Sequence, residues 1–402
     1  MKTNPAGRLS DHTEDSNAMN TKSASNVLRE VAALFDLRAD FVNGAPYGSG
    51  HINDTYCATF DQAGTRLRYI LQRINTNVFK NPVALMDNIG RVTCHALGRL
   101  FAENSPDAHR RTLTCIPSIE GRPYAVDSKG NYWRVYPFIE RARGYDEIES
   151  NEQAFQAAKA FGSFQKLTAD LGGARLHETI PDFHNTPKRL EALQAAIQLD
   201  PQDRASGVKS QIEFALSRAE DCSRVTNLIA SGGIPERVTH NDTKLNNVLL
   251  DEVTSEAVCV IDLDTTMPGS ALYDFGDMVR TATPTTREDD VDLAKQDLRL
   301  DRFESLVRGY LSTAGDFLND AEVGHLAFSG KLLTLECGMR FLSDYLLGDV
   351  YFKIKHPGHN IDRCRNQFAF VSAIEAKLSK MEELVAAHHR VGDWRFSVIN
   401  PP

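Results

Sequence analysis

The sequence lacks the features that mark several large classes of protein. Its 402 residues contain no apolar run that approaches the roughly 20 residues needed to cross a membrane. The N-terminus has no apolar core of the kind found in secretory signals, so we expect a cytoplasmic protein that makes no membrane contact. Clustered lysines and arginines are also missing, and the formal net charge of −9 argues against a broad surface for nucleic acid.

Paired cysteine motifs are absent as well. The seven cysteines are scattered, and no two are spaced as C-x-x-C. This pattern is typical of reduced intracellular thiols rather than of a disulfide framework or a zinc site. What is present is the composition of an ordinary soluble globular protein, with 42% hydrophobic and 25% charged residues. Because 402 residues exceed one average hydrophobic core, we expect two lobes, and nothing in the composition indicates an oligomeric state.

Hydrophobic periodicity separates a small sheet-containing region from a larger helical one. Residues 1–23 are polar and aperiodic, which predicts a disordered tail. Residues 24–140 are predicted to form an N-terminal lobe in which two strands, a helix and two more strands follow one another. The predicted strands are 52–60, 67–74, 113–116 and 132–139, and the predicted helix is 81–101.

The rest of the chain is predicted to be mainly helical. Residues 141–150 are polar, which predicts a linker, and residues 151–402 form the predicted C-terminal lobe. Its predicted helices are 152–168, 188–197, 207–229, 301–315, 321–347 and 363–387. The predicted fold class is therefore α+β, with a small antiparallel-sheet lobe and a large, mainly helical lobe.

A loop-and-strand stretch, Val238–Asp277, interrupts the helical lobe and contains the residues most indicative of chemistry. Asp242 and Asn247 lie in one short loop, and Asp262 follows after two short predicted strands. Phosphoryl transfer requires this arrangement: one carboxylate orients the attacking hydroxyl, while an amide and a second carboxylate hold magnesium on nucleotide phosphates. The stretch therefore predicts a kinase of small molecules that uses ATP and Mg²⁺.

Each residue of this stretch has a predicted role and an alternative one. Asp242 is predicted to accept the proton of the acceptor hydroxyl and so to contact the substrate, although H-N-D-T also fits a capped turn. Lys244 is predicted to direct its ammonium group at the transferred phosphoryl group, or else to be a solvated surface lysine. Asn247 and Asp262 are predicted magnesium ligands. Asp264 is either a further ligand or a turn residue.

Glycines ahead of the first predicted strand indicate a phosphate-covering loop, since backbone amides there can approach phosphate oxygens closely. The alternative is an ordinary turn. The predicted contacts in this loop are Gly48, Ser49, Gly50, His51 and Asn53. At the end of the small sheet, backbone groups around Pro137 and Ile139 are predicted to pair with adenine.

A helix near the C-terminus carries the predicted acceptor site. Glu336, Arg340 and Asp344 recur every four residues and so share one face. Aromatic residues nearby, including Tyr345, are suited to wall a sugar pocket. We predict that Arg340, Asp344 and Tyr345 contact the substrate. A surface ladder of ion pairs is the alternative, worth a few tenths of a kcal/mol per pair.

The central stretch resembles the aminoglycoside phosphotransferase and choline kinase superfamily, whose fold is protein-kinase-like. H-N-D-T-K-L-N-N matches the superfamily loop His-x-Asp-x-x-x-x-Asn at His240, Asp242 and Asn247. I-D-L-D matches its metal-binding Ile-Asp at Asp262, and the following Tyr-Asp matches at Asp274, a carboxylate that usually braces the fold. The resemblance implies a two-lobed enzyme that uses ATP and magnesium.

Longer segments are similar to N-acetylhexosamine 1-kinases, which are anomeric sugar kinases of this superfamily. The similarity extends roughly over residues 45–378 and includes G-S-G-H-I-N-D-T-Y and E-C-G-M-R-F-L-S-D-Y. It implies carbohydrate metabolism, namely ATP-dependent phosphorylation of N-acetylglucosamine or N-acetylgalactosamine at the anomeric hydroxyl. Gln72 stands where most superfamily members have a phosphate-binding lysine, and it is predicted to contact the nucleotide at this position. Because Gln72 carries no charge, the charged phosphate contacts are expected from the glycine loop, magnesium and Lys244. Other acceptors (an aminoglycoside, choline or homoserine) and a non-catalytic binding module remain as alternatives.

Overall fold

The chain forms two compact units. One extends to Cys94 and includes Leu113–Glu140, and the other combines His95–Thr112 with the chain from Arg141 onward. The structure is a computed structural model that describes residues 25–48 and 52–397, with side chains as far as residue 389. The predicted tail at 1–23 and the predicted loop residues Ser49, Gly50 and His51 lie outside the described residues.

The first unit contains a five-stranded antiparallel sheet. Its elements are helix α1 (25–32), β1 (Asp40–Pro46), β2 (Asp54–Gln62), β3 (Thr65–Arg73), the start of α2 (Pro82–Ala102), β4 (Ala125–Val126) and β5 (Tyr132–Pro137). The strand order is β1-β2-β3-β5-β4. Ala63 and Gly64 connect β2 to β3, and both have positive φ (53° and 88°), as the tight turn of a two-residue hairpin requires.

Alternation along the strands buries one face of this sheet against α1. Leu28 of α1 packs with Phe60, Leu71 and Trp133 from successive strands. The strands of this unit differ from the prediction, which did not include the short β4. The predicted strand 113–116 is irregular, and β1 was not predicted because Gly44 and Pro46 weaken its strand pattern.

The second unit is mainly helical. Its helices are α3 (Ala108–Arg111), α4 (Asn151–Thr168), α5 (Thr186–Leu199), α6 (Lys209–Leu216), α7 (Ala219–Cys222), α8 (Arg224–Ala230), α9 (Ala271–Ala282), α10 (Leu300–Ala314), α11 (Asp320–Gly324), α12 (Leu326–Leu346) and α13 (His359–Ser397). Helix α4 packs on α10, and α12 packs on both α9 and α13. The predicted helix 207–229 is divided into α6, α7 and α8. Among the described helices, none has the length and apolar composition that a bilayer crossing requires.

Short strands position the central loop within this unit. Strand β7 (Arg237–Thr239) pairs with β10 (Met267–Gly269), while β6 (Ala142–Arg143), β8 (Val248–Asp251) and β9 (Ala257–Val260) form a second small sheet. Residues 240–247 connect β7 to β8 and are hereafter called the catalytic loop, because the sequence predicts that Asp242 and Lys244 act in phosphoryl transfer. The loop ends in a 3₁₀ turn over Leu245–Asn247. Both of its ends are therefore anchored in paired strands.

Candidate active site

Two carboxylates of α9 hold the backbone of the catalytic loop. Asp274 accepts hydrogen bonds from the backbone N–H groups of His240 (3.0 Å) and Asn241 (2.7 Å). Asp277, one turn further along the helix, accepts the N–H of Thr243 at 2.9 Å. These bonds fix a backbone that turns sharply, since Asn241 has a left-handed φ of 65°.

Asp274 is itself held by a buried side-chain network. The Gln165 amide donates to it at 2.6 Å, and the Tyr310 hydroxyl donates to the Gln165 carbonyl. Burial raises the pKa of the Asp274 carboxyl. The superfamily resemblance implies a bracing carboxylate at this position, and these contacts are those of a brace.

His240 joins the catalytic loop to the β8–β9 hairpin. Its Nδ1 accepts the backbone N–H of Asp242 at 3.3 Å, so Nε2 carries the ring proton and donates to the Ile261 carbonyl at 2.9 Å. The ring is fully buried between Phe161 and Phe164. This arrangement gives His240 a structural task and leaves it in a neutral tautomer.

The predicted catalytic residues come together at the carboxylate of Asp242. Lys244 Nζ lies 2.7 Å from Oδ1, and the Asn247 amide donates to Oδ2 at 3.1 Å. Burial on its own raises the pKa of Asp242, but nearby positive charge, chiefly the Lys244 ammonium with a smaller contribution from Arg280, outweighs burial and holds this pKa below the ordinary value. The Asp242 side chain stays 30% exposed. It is thus an ionised carboxylate that is accessible to an acceptor hydroxyl.

The β8–β9 hairpin brings the predicted metal ligands near each other. Ile261 donates its N–H to the Asn247 carbonyl at 2.9 Å, which puts Asn247 opposite the residue that precedes Asp262. Asp262 is exposed and has a left-handed φ of 59°. Asp264 is buried in the 3₁₀ turn that follows.

This set of donors fits a magnesium ion shared with nucleotide phosphates. The Asn247 Nδ2 donates to Asp242, so the amide oxygen Oδ1 is the atom suited to bind a cation. Within the described residues, no group of three or more His, Cys, Asp or Glu side chains is arranged to hold a metal. Few oxygen ligands, completed by phosphate and water, are what magnesium requires, whereas a permanent all-protein metal cage is not supported.

Arg340 is surrounded by aromatic side chains. Its guanidinium lies 5.4 to 6.0 Å from the ring centres of Phe183, Tyr351 and Phe352. No hydrogen bond or ion pair joins it to another described residue. Arg189 lies close to Arg340, and burial together with the Arg340 charge lowers the pKa of Arg189. The buried Nε of Arg189 has no partner among the described residues.

The structure gives Asp344 and Tyr345 tasks other than the predicted substrate contacts. Asp344 is buried and accepts four hydrogen bonds of 2.8 to 2.9 Å, from the backbone N–H groups of residues 350–352 and the Asn360 amide. These donors occupy both carboxylate oxygens, so Asp344 holds the loop that follows α12 against the end of the helix. Tyr345 packs under Arg204, whose guanidinium lies 4.6 Å from the ring centre and donates to the Tyr345 carbonyl.

The predicted nucleotide contacts that can be described lie in the first unit. Gly48 has a positive φ of 80°, and Asn53 Oδ1 accepts the Asn75 N–H at 3.0 Å. The Gln72 amide donates to the Thr55 hydroxyl and accepts from the Arg134 Nε, both at 2.9 Å, so its two polar atoms are committed within the sheet. Pro137 is the exposed last residue of β5, and the Ile139 side chain is buried.

Sequence patterns did not reveal the buried cluster that joins α12 to the catalytic loop. His184 contacts Glu336 at 2.8 Å through Nδ1 and the Asn241 carbonyl at 3.0 Å through Nε2, and Thr186 donates to Glu336 at 2.6 Å. His184 precedes Asn241 by 57 residues and Glu336 by 152 residues. No local spacing therefore indicated this cluster.

Comparisons with known proteins agree with this geometry. The profile of the Phosphotransferase enzyme family, APH, matches residues 43–307, more than half of the chain. A microcompartment-associated aminopropanol kinase has a similar structure, with a TM-score of 0.55, 16% identity, and coverage of 89% of this chain and 98% of the other. The GDP complex of aminoglycoside 2'-phosphotransferase-IIIa gives a TM-score of 0.51, 10% identity, and coverage of 87% and 99%.

The fold and the family match together define a small-molecule phosphotransferase that acts on an alcohol group. The chain belongs to the APH phosphotransferase enzyme family. The predicted fold class, a protein-kinase-like α+β fold with a small antiparallel sheet and a mainly helical remainder, is confirmed.

Proposed function

We propose that this phosphotransferase transfers the γ-phosphoryl group of ATP to the anomeric hydroxyl of an N-acetylhexosamine, giving the sugar 1-phosphate. The observation that carries the acceptor assignment is the environment of Arg340. Arg340 and Arg189 bring two positive charges next to three aromatic rings. Glu336, the carboxylate one turn away, is already bonded to His184 and Thr186.

An excess of positive charge disfavours cationic acceptors. An aminoglycoside, choline or an amino alcohol binds best where unpaired carboxylates face the ammonium group. An acetamido carbonyl is instead an acceptor for guanidinium N–H groups, and aromatic walls suit the apolar face of a sugar ring. We therefore assign Arg340 to the acetamido group and Tyr351 and Phe352 to the pocket wall.

The chemical step is assigned to the catalytic loop. The Asp242 carboxylate accepts a hydrogen bond from the acceptor hydroxyl and takes its proton as the new O–P bond forms and the bond to ADP breaks. The Lys244 ammonium, beside Asp242 in the structure, offsets charge on the transferred group. Asn247 and Asp262, with Asp264 behind them, would hold magnesium, which neutralises charge on the nucleotide phosphates when bound.

The nucleotide is assigned to the N-terminal lobe, residues 24–140, and the acceptor to residues 151–402, with 141–150 as the linker. The GDP bound by the aminoglycoside enzyme supports nucleotide use in this fold. Asn53 and Gly48 are retained as phosphate-loop residues. Gln72 carries no charge and is held between Thr55 and Arg134, so we assign it an orienting role in the sheet.

A panel of acceptors tests the proposal. Purified protein with ATP and Mg²⁺ is incubated with N-acetylglucosamine, N-acetylgalactosamine, glucose, an aminoglycoside, choline and homoserine. Phosphorus NMR then distinguishes a 1-phosphate from a 6-phosphate. We expect an anomeric phosphate on the N-acetylated sugars. A cationic alcohol as the preferred acceptor, or phosphate at O6, contradicts the assignment.

The Arg340→Met variant makes the panel more specific, because N-acetylglucosamine and glucose differ only at C2, where the first has an acetamido group and the second a hydroxyl. Loss of a charge-assisted hydrogen bond should lower kcat/KM for the N-acetylated sugar by about 10- to 100-fold while affecting glucose little. Arg308→Met, on the α10 surface over Phe155, is a matched arginine control. Equal losses for both sugars would assign Arg340 to packing instead.

A further inference from the structure

The buried cluster at His184 joins two parts of the active site that are far apart in sequence. One ring nitrogen faces the carbonyl of Asn241, the residue directly before Asp242, at 3.0 Å. The other faces Glu336, one helical turn before Arg340, at 2.8 Å. His184 therefore lies between the residue assigned to the chemistry and the residue assigned to the acceptor.

Both contacts of His184 are with hydrogen-bond acceptors. A backbone carbonyl cannot donate, so Nε2 must carry a proton to make the contact with Asn241. The Glu336 carboxylate also accepts the Thr186 hydroxyl at 2.6 Å, as an ionised carboxylate does. The contact between Nδ1 and the Glu336 carboxylate then requires a second ring proton, on Nδ1, which makes His184 an imidazolium. His240, by contrast, has one donor and one acceptor contact and is neutral.

The pKa shifts of the two groups agree with this proton count. Burial lowers the pKa of the His184 ring, but the Glu336 carboxylate, together with the Asn241 carbonyl and the Asp277 charge, outweighs burial and leaves this pKa above the ordinary histidine value. Burial likewise opposes ionisation of Glu336, yet His184, together with the Thr186 hydroxyl and the Arg340 charge, keeps the pKa of Glu336 below the ordinary value. The other charged or titratable groups that interact with the pair are Asp277 and Tyr273 of α9, Arg340 of α12, Arg189 of α5 and Cys222 of α7.

We propose that His184 is a positioning residue. Its imidazolium bridges the Asn241 carbonyl and Glu336, and so holds the Asn241–Asp242 peptide in a fixed position relative to the face of α12 that carries Arg340. The proposal rests on the proposed function for the roles of Asp242 and Arg340. His184 touches neither substrate nor reacting atoms. It acts by fixing the distance between the carboxylate that orients the hydroxyl and the side chain that holds the rest of the acceptor.

Histidine NMR tests the protonation state without any substrate. In protein labelled with ¹⁵N-histidine, the His184→Gln variant identifies the His184 signals by their absence. We expect both ring nitrogens to be protonated in the wild type at neutral pH. In Glu336→Gln, the new amide can donate to Nδ1, so His184 should become the neutral tautomer with the proton on Nε2. A neutral His184 in the wild type overturns the proposal.

Steady-state kinetics test the positioning role with the acceptor that the panel identifies. A displacement of about 1 Å in an oriented pair can cost about 100-fold, so His184→Gln should lower kcat by that order while the KM for ATP stays within about twofold. Glu336→Gln preserves both hydrogen bonds of His184 and should keep kcat within about threefold of the wild type. Glu336→Ala, which removes the partner, should resemble His184→Gln.

His388 provides a matched control, because its Nε2 contacts Glu304 at 2.9 Å on α10, away from the catalytic loop. His388→Gln should leave kcat unchanged. If His184→Gln lowers kcat no more than His388→Gln does, or if Glu336→Gln is as impaired as Glu336→Ala, the bridge has no positioning role. If no acceptor is phosphorylated, the proposed function fails, while the NMR result still decides the imidazolium. If His184→Gln does not fold, the two Glu336 variants decide the kinetics.

Discussion

The carboxylate of Asp242 is held from two sides, by the Lys244 ammonium on one oxygen and by the Asn247 amide on the other. Replacement by Asn removes the proton acceptor while keeping the side-chain shape. We expect Asp242→Asn to lower kcat by about 10³-fold, within the range of general-base losses. The melting temperature should stay near that of the wild type.

Asp316→Asn is the matched control for this substitution. Asp316 forms one exposed ion pair with Lys166, and exposed pairs contribute little. Its rate and melting temperature should both be those of the wild type. Turnover by Asp242→Asn at a near-normal rate would remove Asp242 from the mechanism.

The pH dependence of activity reports on Lys244. The pKa of Asp242 is lowered because nearby positive charge, chiefly the Lys244 ammonium, outweighs the effect of burial. Activity requires the ionised carboxylate, so it is present above this pKa and lost as the pH falls through it. The acid limb of kcat/KM should therefore lie below the ordinary carboxylate range.

Lys244→Met should move this limb to higher pH, because it removes the largest effect that opposes burial and so lets the pKa of Asp242 rise. The comparison is Lys188→Met, a lysine that pairs with Glu191 on the surface of α5. Its acid limb should coincide with that of the wild type. An unmoved limb in Lys244→Met would mean that another group controls the profile.

At the scale of elements, α4 and α10 pack closely within the helical unit that carries the candidate site. A Cβ added at Gly309 of α10 would lie 2.2 Å from the Phe155 carbonyl oxygen of α4. Gly309→Ala must therefore push the two helices apart, which typically costs about 1–3 kcal/mol. Chemical denaturation should show a midpoint below that of the wild type.

Gly98 of α2 provides the comparison, because a Cβ there meets no atom within 4 Å. Gly98→Ala should stabilise the protein by about 0.5–1 kcal/mol, since alanine loses less backbone freedom on folding. Opposite signs for two glycine-to-alanine changes in helix interiors would identify helix separation as the cause. Equal effects would contradict the close packing of α4 and α10.

The elements differ in how well their sequences predicted them. Helix α4 and strands β2 and β3 have clear periodicity over many residues, and their predicted positions agree closely with the structure. The predicted helix 207–229 failed because periodicity alone does not register the breaks after Leu216 and Cys222. Strand β1 was missed because its pairing with β2 overrides the weak strand preference of its own residues.

At the scale of the whole molecule, contacts that are local in sequence were predictable and distant contacts were not. The spacing from Asp242 to Asn247 predicted that these two residues act together, and in the structure the Asn247 amide contacts the Asp242 carboxylate within the same loop. The contacts of Asp344 could not be predicted from its own helix, because backbone N–H groups of the loop that follows α12 bind its carboxylate. The links from His184 to Asn241 and Glu336 exist only once the second unit has folded.

Removal of divalent metal should separate activity from stability in the whole molecule. The fold relies on apolar cores and hydrogen-bonded carboxylates, and the described residues include no cluster of three His, Cys, Asp or Glu side chains that would form a resident metal site. Dialysis against a chelator should therefore leave the melting temperature of the nucleotide-free protein unchanged, because an ion that is not bound to the native state cannot stabilise it.

The same chelated protein should transfer no phosphate until Mg²⁺ is returned, because Asn247 and Asp262 can hold the ion only together with nucleotide phosphates. In turn, Mg²⁺ with a non-hydrolysable ATP analogue should raise the melting temperature more than either alone. Asp262→Asn should weaken that joint shift without changing the ligand-free melting temperature. Turnover in chelator would exclude the metal role of Asn247 and Asp262, and a fall in melting temperature on chelation would reveal a structural ion.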